Sequence, residues 1–411
     1  MKLSIIICIY NTEYQRFEQC LKSLTESTLK LADYEICIVD DGSSIDYSEL
    51  VKKYCAKYIK TENRGIFHAR MKGIEMAMGD YIAFCDSDDT VSINYHMPML
   101  DEGCIHNSDI IINDWAFHTD NCRYYCSSDS TILGDFLLEG DDALSSFMKQ
   151  AGREHSFFVL WNKVYKANLL KMVTKTLSSL RDLPEKYNYS EDALINFYAF
   201  MYAKRVQNIH TGYYYYRIHS SQSVNVITEE RLRLHIECMS YTLNQMESCL
   251  AEMLSRNELL PYAYKWRELM SRTHYSYARN GGYTQLYPYI KERYRVNTLK
   301  KSTLADSSSY ARVKIIPSNI DEIDSALLSL IKSKDACTVN PKKLDSYALE
   351  TVNFINKHGG RVEFSEKADI VIPKPQISIK NKLIHNYYLY NIGIFLFPKG
   401  SKIRSFLKKI L

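Results

Sequence analysis

The sequence has no Cys-x-x-Cys pair, no excess of one charge and no apolar run long enough to cross a bilayer. Each absence excludes something. The eleven cysteines stand singly, at 8, 20, 37, 55, 85 and onward, so zinc and iron–sulfur sites of the usual spacing find no support. Several lie in apolar runs, as in Ile7-Cys8-Ile9 and Phe84-Cys85, and read as buried free thiols rather than disulfides. A formal net charge of +4 argues against a dedicated nucleic-acid binder, which concentrates basic residues on one face. The apolar stretch Tyr387–Phe397, interrupted by Asn391, falls short of the roughly 20 residues a membrane span needs. Met1-Lys2-Leu3-Ser4-Ile5 shows no charged region, apolar core and cleavage site in succession. It reads as a first strand, and a cytoplasmic protein is expected.

Hydrophobic residues make up 46% of the 411 and charged residues 24%, the composition of a soluble chain with a substantial core. The length fits two domains, or one large domain with an appendage. The 33 tyrosines include the block Tyr213-Tyr214-Tyr215-Tyr216. These give amphipathic walls for a sugar or acceptor, or reflect a compositional bias.

Strand and helix signals alternate over the first ninety residues. Residues 3–9 form an apolar run suited to a strand covered on both faces. Phe17, Cys20, Leu21 and Leu24 then recur at helical spacing. Strands are predicted at 35–39, 57–60 and 81–85, with helices over 46–56 and 65–78. This βαβα order places polar loops at the carboxyl ends of strands, where open α/β sheets bind ligands. Further on, a strand is predicted at 110–112. Residues 141–150 and 162–180 read as mainly helical, and a helix over 191–204 presents Leu194, Phe197 and Tyr198 on one side. One or two strands are predicted over 206–217. A boundary is placed near 225. Beyond it, a helix over 230–257 has Leu234, Cys238, Tyr241, Met246 and Leu250 as core candidates. Helices follow at 320–332 and 342–357, with strand-like runs at 311–316 and 361–372. Lys399, Lys402, Arg404, Lys408 and Lys409 follow the apolar tail segment. Residues 387–411 therefore suit either an anionic membrane surface or packing on the second domain.

The chemistry-bearing pattern is a pair of acidic strand ends. Asp40-Asp41 follows Ile36-Cys37-Ile38-Val39, and Asp86-Ser87-Asp88-Asp89 follows the strand ending at Cys85. On neighbouring parallel strands these carboxylates meet at one sheet edge. Oxygen ligands of this kind suit Mg2+ or Mn2+, which neutralise a diphosphate.

With these residues in place the chain resembles a family 2 glycosyltransferase, over about residues 3–225. Ser4 to Asn11 resembles the family's opening strand and loop, with Cys8-Ile9 where members usually carry proline-valine. Asp40-Asp41-Gly42-Ser43-Ser44 and Asn63-Arg64-Gly65, with Ala69-Arg70 and Gly73, resemble the next two motifs. The resemblance implies a nucleotide-diphospho-sugar transferase fold of GT-A type: one mixed α/β domain with a mainly helical C-terminal extension. It places Tyr10, Asn11, Asp40, Asp41, Asn63 and Arg70 at the nucleotide, Asp86 and Ser87 at the diphosphate and Asp88 on the metal. Glu191-Asp192 resembles the pair supplying the general base, with Asp192 taking the acceptor proton and Glu191 supporting it. Tyr216-Arg217-x-His219 resembles the distal motif, where His219 completes the metal site and Arg217 faces the diphosphate. Trp161-Asn162-Lys163 resembles a further bacterial segment, in which Trp161 stacks on the acceptor sugar or anchors the core. The implied organisation is a catalytic domain at 1–225, with a nucleotide-sugar half (1–100) and an acceptor half (101–225), then a C-terminal region at 226–411.

The implied activity is inverting, metal-assisted transfer of a hexose or N-acetylhexosamine from a UDP-sugar to a saccharide. A lipid-linked capsular or lipopolysaccharide glycan at the inner membrane face is the expected acceptor. A sugar-phosphate nucleotidyltransferase is the alternative enzyme, but Ile9-Tyr10-Asn11-Thr12-Glu13 lacks its glycine-rich basic loop. A non-catalytic glycan-binding relative would have lost the aspartates, which are present.

Overall fold

The computed structural model describes residues 2–27, 29, 33–119, 122–126, 136–150, 155–217 and 228–296, with three short strands beyond. The chain groups into two units. The first comprises 1–114, 133–214 and 227–302; the second comprises 115–132, 215–226 and 303–411.

In the first unit β1 (Leu3–Ile9) is buried at every position but Cys8, as its unbroken apolar run requires. Helix α1 (Tyr14–Thr25) buries Phe17, Cys20, Leu21 and Leu24, the stripe expected from the sequence. Then come β2 (Tyr34–Asp40), α2 (Ser48–Lys53), β3 (Lys57–Lys60), α3 (Ile66–Met76), β4 (Tyr81–Asp86), β5 (Thr90–Val91) and α4 (His96–His106). β6 (Ile110–Thr119) begins in this unit. β7 (Cys122–Cys126) belongs to the other. The chain returns with β8 (Leu137–Glu139), α5 (Asp141–Gln150), α6 (His155–Phe158), β9 (Lys163–Lys166), α7 (Ala167–Leu177), α8 (Glu191–Tyr202) and β10 (Arg205–Arg217). Three helices follow: α9 (Glu229–Glu252), α10 (Leu260–Asn280) and α11 (Tyr287–Tyr294).

β1 pairs in parallel with β2 on one side and β4 on the other, and β2 pairs in parallel with β3. β9 runs antiparallel between β4 and β6, which makes the sheet mixed. This is the expected α/β architecture with a helical C-terminal extension. Close packing of α3 on β1 depends on Gly73, where a Cβ would stand 2.3 Å from the Ile6 side chain.

Two local expectations are corrected. Residues 163–166 are a strand, because Val164 and Tyr165 fill the gap between β4 and β6; the helix starts at Ala167. Helix α8 is buried on nearly every side, not one, since α5, α7 and α9 all pack on it. Beyond the expected boundary near 225, helices α9 to α11 share the first unit's core. Cys238, Tyr241, Met246 and Leu250 are buried there, and Leu234 is partly so.

In the second unit β7 pairs antiparallel with β11 (Val313–Ile316), and β12 (Cys337–Val339) pairs in parallel with β13 (Val362–Phe364). The helices expected at 320–332 and 342–357 and the tail 387–411 lie outside the described residues. The described cysteines are free, with Cys20, Cys37, Cys85 and Cys238 buried.

Candidate active site

The register sets Asp40 beside Ile9 and Asp86 beside Cys8, at the carboxyl edge of the parallel strands. The sequence predicts neighbouring strands for the two acidic ends; the structure puts β1 between them. Two inter-strand spacings separate them by roughly 10 Å. Strand order also reverses at β1, with β2 on one side and β4 on the other. Such a switch point opens a crevice outside the strand ends.

On the β2 side the carboxylates brace loops. Asp40 is fully buried, and its oxygens accept the Ser43 N–H (2.7 Å) and the Tyr58 hydroxyl (2.6 Å). With both oxygens engaged and no exposed surface, Asp40 holds the turn at the end of β2. Asp41 accepts the N–H groups of Arg64 and Gly65, each at 2.8 Å, and so ties the loop carrying Asn63 to the end of β2. Gly65 has φ +91°, and a Cβ there would meet the Asn188 side-chain oxygen at 2.3 Å. That oxygen instead accepts the Ile66 N–H at the start of α3 (2.9 Å). Asn11 adopts φ +50°, and its side-chain oxygen accepts the Ser44 N–H and hydroxyl at 2.8 and 2.9 Å. Tyr10, beside it, is 55% exposed and free to cover a flat ring. Thr12 reaches across to Ser87 (Oγ–Oγ 2.6 Å), linking this loop to the acidic segment.

On the β4 side Arg70 of α3 is buried between two carboxylates. One guanidinium nitrogen bonds Glu191, and another lies 3.5 Å from Asp86 Oδ1. Residues 121 positions apart in sequence therefore share one ion-pair network, with Asp192 half-exposed next to Glu191. Asp192 accepts the Ala193 N–H at 2.7 Å in the first turn of α8, where the helix dipole favours a negative charge.

Burial pushes the Glu191 carboxyl up to about 7 and the Asp86 carboxyl to about 6, although Arg70 pulls both down. Asp192 raises both, and Asp88 raises Asp86 further. Arg70 is opposed by burial yet stays charged, because Glu191, Asp86 and Asp192 surround it. The pocket thus carries more negative charge than one guanidinium neutralises.

Among the described residues no three His, Cys, Asp or Glu side chains converge into a cation cage. The donor chemistry fits a different arrangement. Mg2+ binds one or two carboxylates and takes its remaining ligands from substrate phosphates and water. Asp88 beside Asp86 supplies such a pair, and their mutual repulsion is what a cation relieves.

Other expected positions fall differently. Trp161 is 5% exposed, with its ring stacked on Tyr214 at 4.5 Å between centroids. This packing is that of a core anchor, one of the two places the sequence offers for Trp161. Arg217 ends β10 in the second unit, and His219 lies outside the described residues.

The profile described as "Glycosyl transferase family 2" matches residues 4–170. That stretch of the chain is similar to glycosyl transferase family 2. EpsH of Bacillus subtilis is 31% identical over 229 residues, 54% of this chain and 62% of its own length. The cholesterol galactosyltransferase of Borreliella burgdorferi is 26% identical over 248 residues, 57% of this chain and 66% of its own. The chain spans less than two thirds of either relative. A crystal structure of S. aureus TarS residues 1–349 with UDP-GlcNAc is 18% identical, with a TM-score of 0.44, over 77% of this chain and 97% of that one.

The segment matched by the profile holds Arg70 and the acidic strand ends, while Glu191 and Asp192 follow it in sequence. Two contributors escape the sequence reading. Tyr214 sends its hydroxyl beneath the acidic loop, where it accepts the Asp86 N–H (2.9 Å) and donates to Asp89 (2.7 Å). The Tyr213–Tyr216 block signals amphipathic walls but does not say which ring turns inward. Asn188, which caps α3 from 122 residues away, has no sequence signal at all.

Proposed function

We propose that the chain transfers a hexose or N-acetylhexosamine from a UDP-sugar to a saccharide hydroxyl, with inversion at the anomeric carbon. One observation carries the reading. Arg70 joins Asp86, at the diphosphate edge of the sheet, to Glu191, which starts the helix bearing Asp192. The network gives the site two sides, as direct displacement requires: a leaving diphosphate on one and a base on the other.

In this reading Tyr10, Asn11 and the Asp41-braced loop of Asn63 form the nucleotide side. Asp86, Ser87 and Asp88 serve the diphosphate. Asp88 would hold Mg2+ or Mn2+, which would neutralise charge on the leaving diphosphate. Asp192 takes the proton of the attacking hydroxyl as the new glycosidic bond forms and the bond to the diphosphate oxygen breaks. Nucleoside diphosphate leaves with the bonding electrons, and no covalent enzyme intermediate is needed. Glu191, held by Arg70, supports Asp192 rather than acting as the base.

The acceptor we propose is a lipid-linked surface glycan, worked on at the cytoplasmic face of the membrane, with anionic lipid as a partner for the basic residues between 399 and 409. No helix among the described residues is long and apolar enough to cross a membrane.

The test is release of free UDP from a panel of UDP-sugars, with and without divalent cation and added saccharide. Release that requires both supports transfer. Pyrophosphate release from a nucleoside triphosphate and a sugar phosphate would replace the reading with nucleotidyl transfer. Asp88→Ala should remove the cation dependence of donor binding, measured by calorimetry. Cation-dependent binding that survives unchanged contradicts that role.

A further inference from the structure

We propose that Thr242, on helix α9, is a positioning residue that fixes the segment delivering Glu191 and Asp192. The functional side of this inference rests on the transfer reading above, but the geometry stands without it. Ser190, immediately before the pair, is a non-glycine residue at φ +60°. Such a left-handed residue is strained and persists only where neighbours over-determine it. Its own side chain makes no capping bond to α8. It bonds the Thr242 hydroxyl instead (Oγ–Oγ 2.8 Å) and the Tyr189 carbonyl (2.6 Å).

The fully buried Thr242 hydroxyl is the hub of this arrangement. It bonds the Tyr187 hydroxyl, approaches the Ser190 carbonyl at 3.3 Å and returns to the Cys238 carbonyl at 3.0 Å. One hydroxyl has one proton to give and two lone pairs to receive. It therefore links Tyr187, Ser190 and the helix in either proton arrangement. The rest of the same helix face holds the segment upstream. Tyr241 donates to the Arg181 carbonyl (2.8 Å), Cys238 donates to the Lys186 carbonyl (3.6 Å), and the His235 ring lies 3.4 Å from that of Tyr189. Residues 235, 238, 241 and 242 recur at helical spacing, so one side of α9 clamps 181–190. A helix beyond the segment matched by the profile thereby sets the start of α8, and with it the direction of the Asp192 carboxylate.

Thr242→Val keeps the volume and removes the hydroxyl; Thr242→Ser keeps the hydroxyl. Both are made in the full chain and compared by UDP-release kinetics and by hydrogen exchange of peptides spanning 186–193. A misplaced catalytic group costs roughly 100-fold per ångström-scale error, so Thr242→Val should lower kcat about 10- to 100-fold with donor KM within about twofold. Thr242→Ser should stay within about threefold of the parent, since a positioned hydroxyl is what the site needs. Exchange at 186–193 should rise in Thr242→Val but not in Thr242→Ser, with β1 and β4 peptides unchanged. Equal behaviour of the two variants overturns the proposal. So does unchanged exchange at 186–193, or a parallel rise across β1 and β4. If the parent chain releases no UDP at all, the transfer reading fails by itself, and the exchange comparison still decides the role of Thr242.

Discussion

Replacing Arg70 by Met removes the single guanidinium that balances Glu191 and Asp86 while keeping an apolar stem. The side chains of Arg70 and Glu191 are 7% and 6% exposed, so solvent screens the lost charge little. Breaking such a buried pair typically costs about 3–5 kcal/mol, unless the orphaned carboxylate takes up a proton. The consequence is a changed pH dependence. Glu191 already sits at about 7 in the fold against an ordinary 4.5, so the native state holds an extra proton between those values. Stability therefore falls as pH rises through that window and levels off above it. With Arg70 present, Glu191 loses that proton midway between pH 6 and pH 8, which removes about 1.4 kcal/mol across the interval. Without Arg70 its pKa rises further and the proton is kept to pH 8, so the loss grows to about 2.7 kcal/mol. Urea unfolding at both pH values, read with Arg70→Met/Glu191→Gln as the control, measures the difference. The single variant should lose about 1 kcal/mol more than the parent over the interval, and the double variant should not. Parallel curves for parent and single variant would refute the claim that Arg70 sets the ionisation of Glu191.

Two further outcomes follow from contacts around the site. Gly65→Ala forces a Cβ to 2.3 Å from Asn188 at φ +91° and should destabilise by about 1–3 kcal/mol. Gly140→Ala, at φ +54° with open space around it, should cost about 1 kcal/mol, so thermal unfolding of the pair separates the clash from the backbone preference. Tyr214→Phe leaves the buried Asp86 N–H without its hydroxyl partner and takes a donor from Asp89. A loss of about 1–3 kcal/mol in unfolding free energy is expected, and a change below about 0.5 would mean the acidic loop holds itself.

The first four strands and their helices were legible because they carry unambiguous periods. β1 is an unbroken apolar run, and α1 repeats its apolar residues three and four apart. Lys163–Lys166 reads as helix in sequence because Val164 and Tyr165 are equally acceptable there; pairing with β4 and β6 decides the matter, and that contact is long-range. Strand order follows the same rule. Residue spacing shows that β2 and β4 end in carboxylates, but only the register with β1 shows that they flank it. At the site, the acidic types were readable and their tasks were not. The sequence does not reveal that Asp40 braces a turn or that Trp161 packs against Tyr214. Thr242 and Asn188 act through hydroxyl and amide contacts across long stretches of chain, with no local pattern to reveal them.

The central claim is that proton transfer belongs to Asp192 and nucleotide binding to the opposite side of the site. Asp192→Asn tests it with little change of shape. Removing a general base should lower UDP-sugar transfer by about 100- to 10,000-fold, with the donor Kd by calorimetry within about threefold of the parent. Transfer that survives within about threefold would contradict the account and move the base elsewhere.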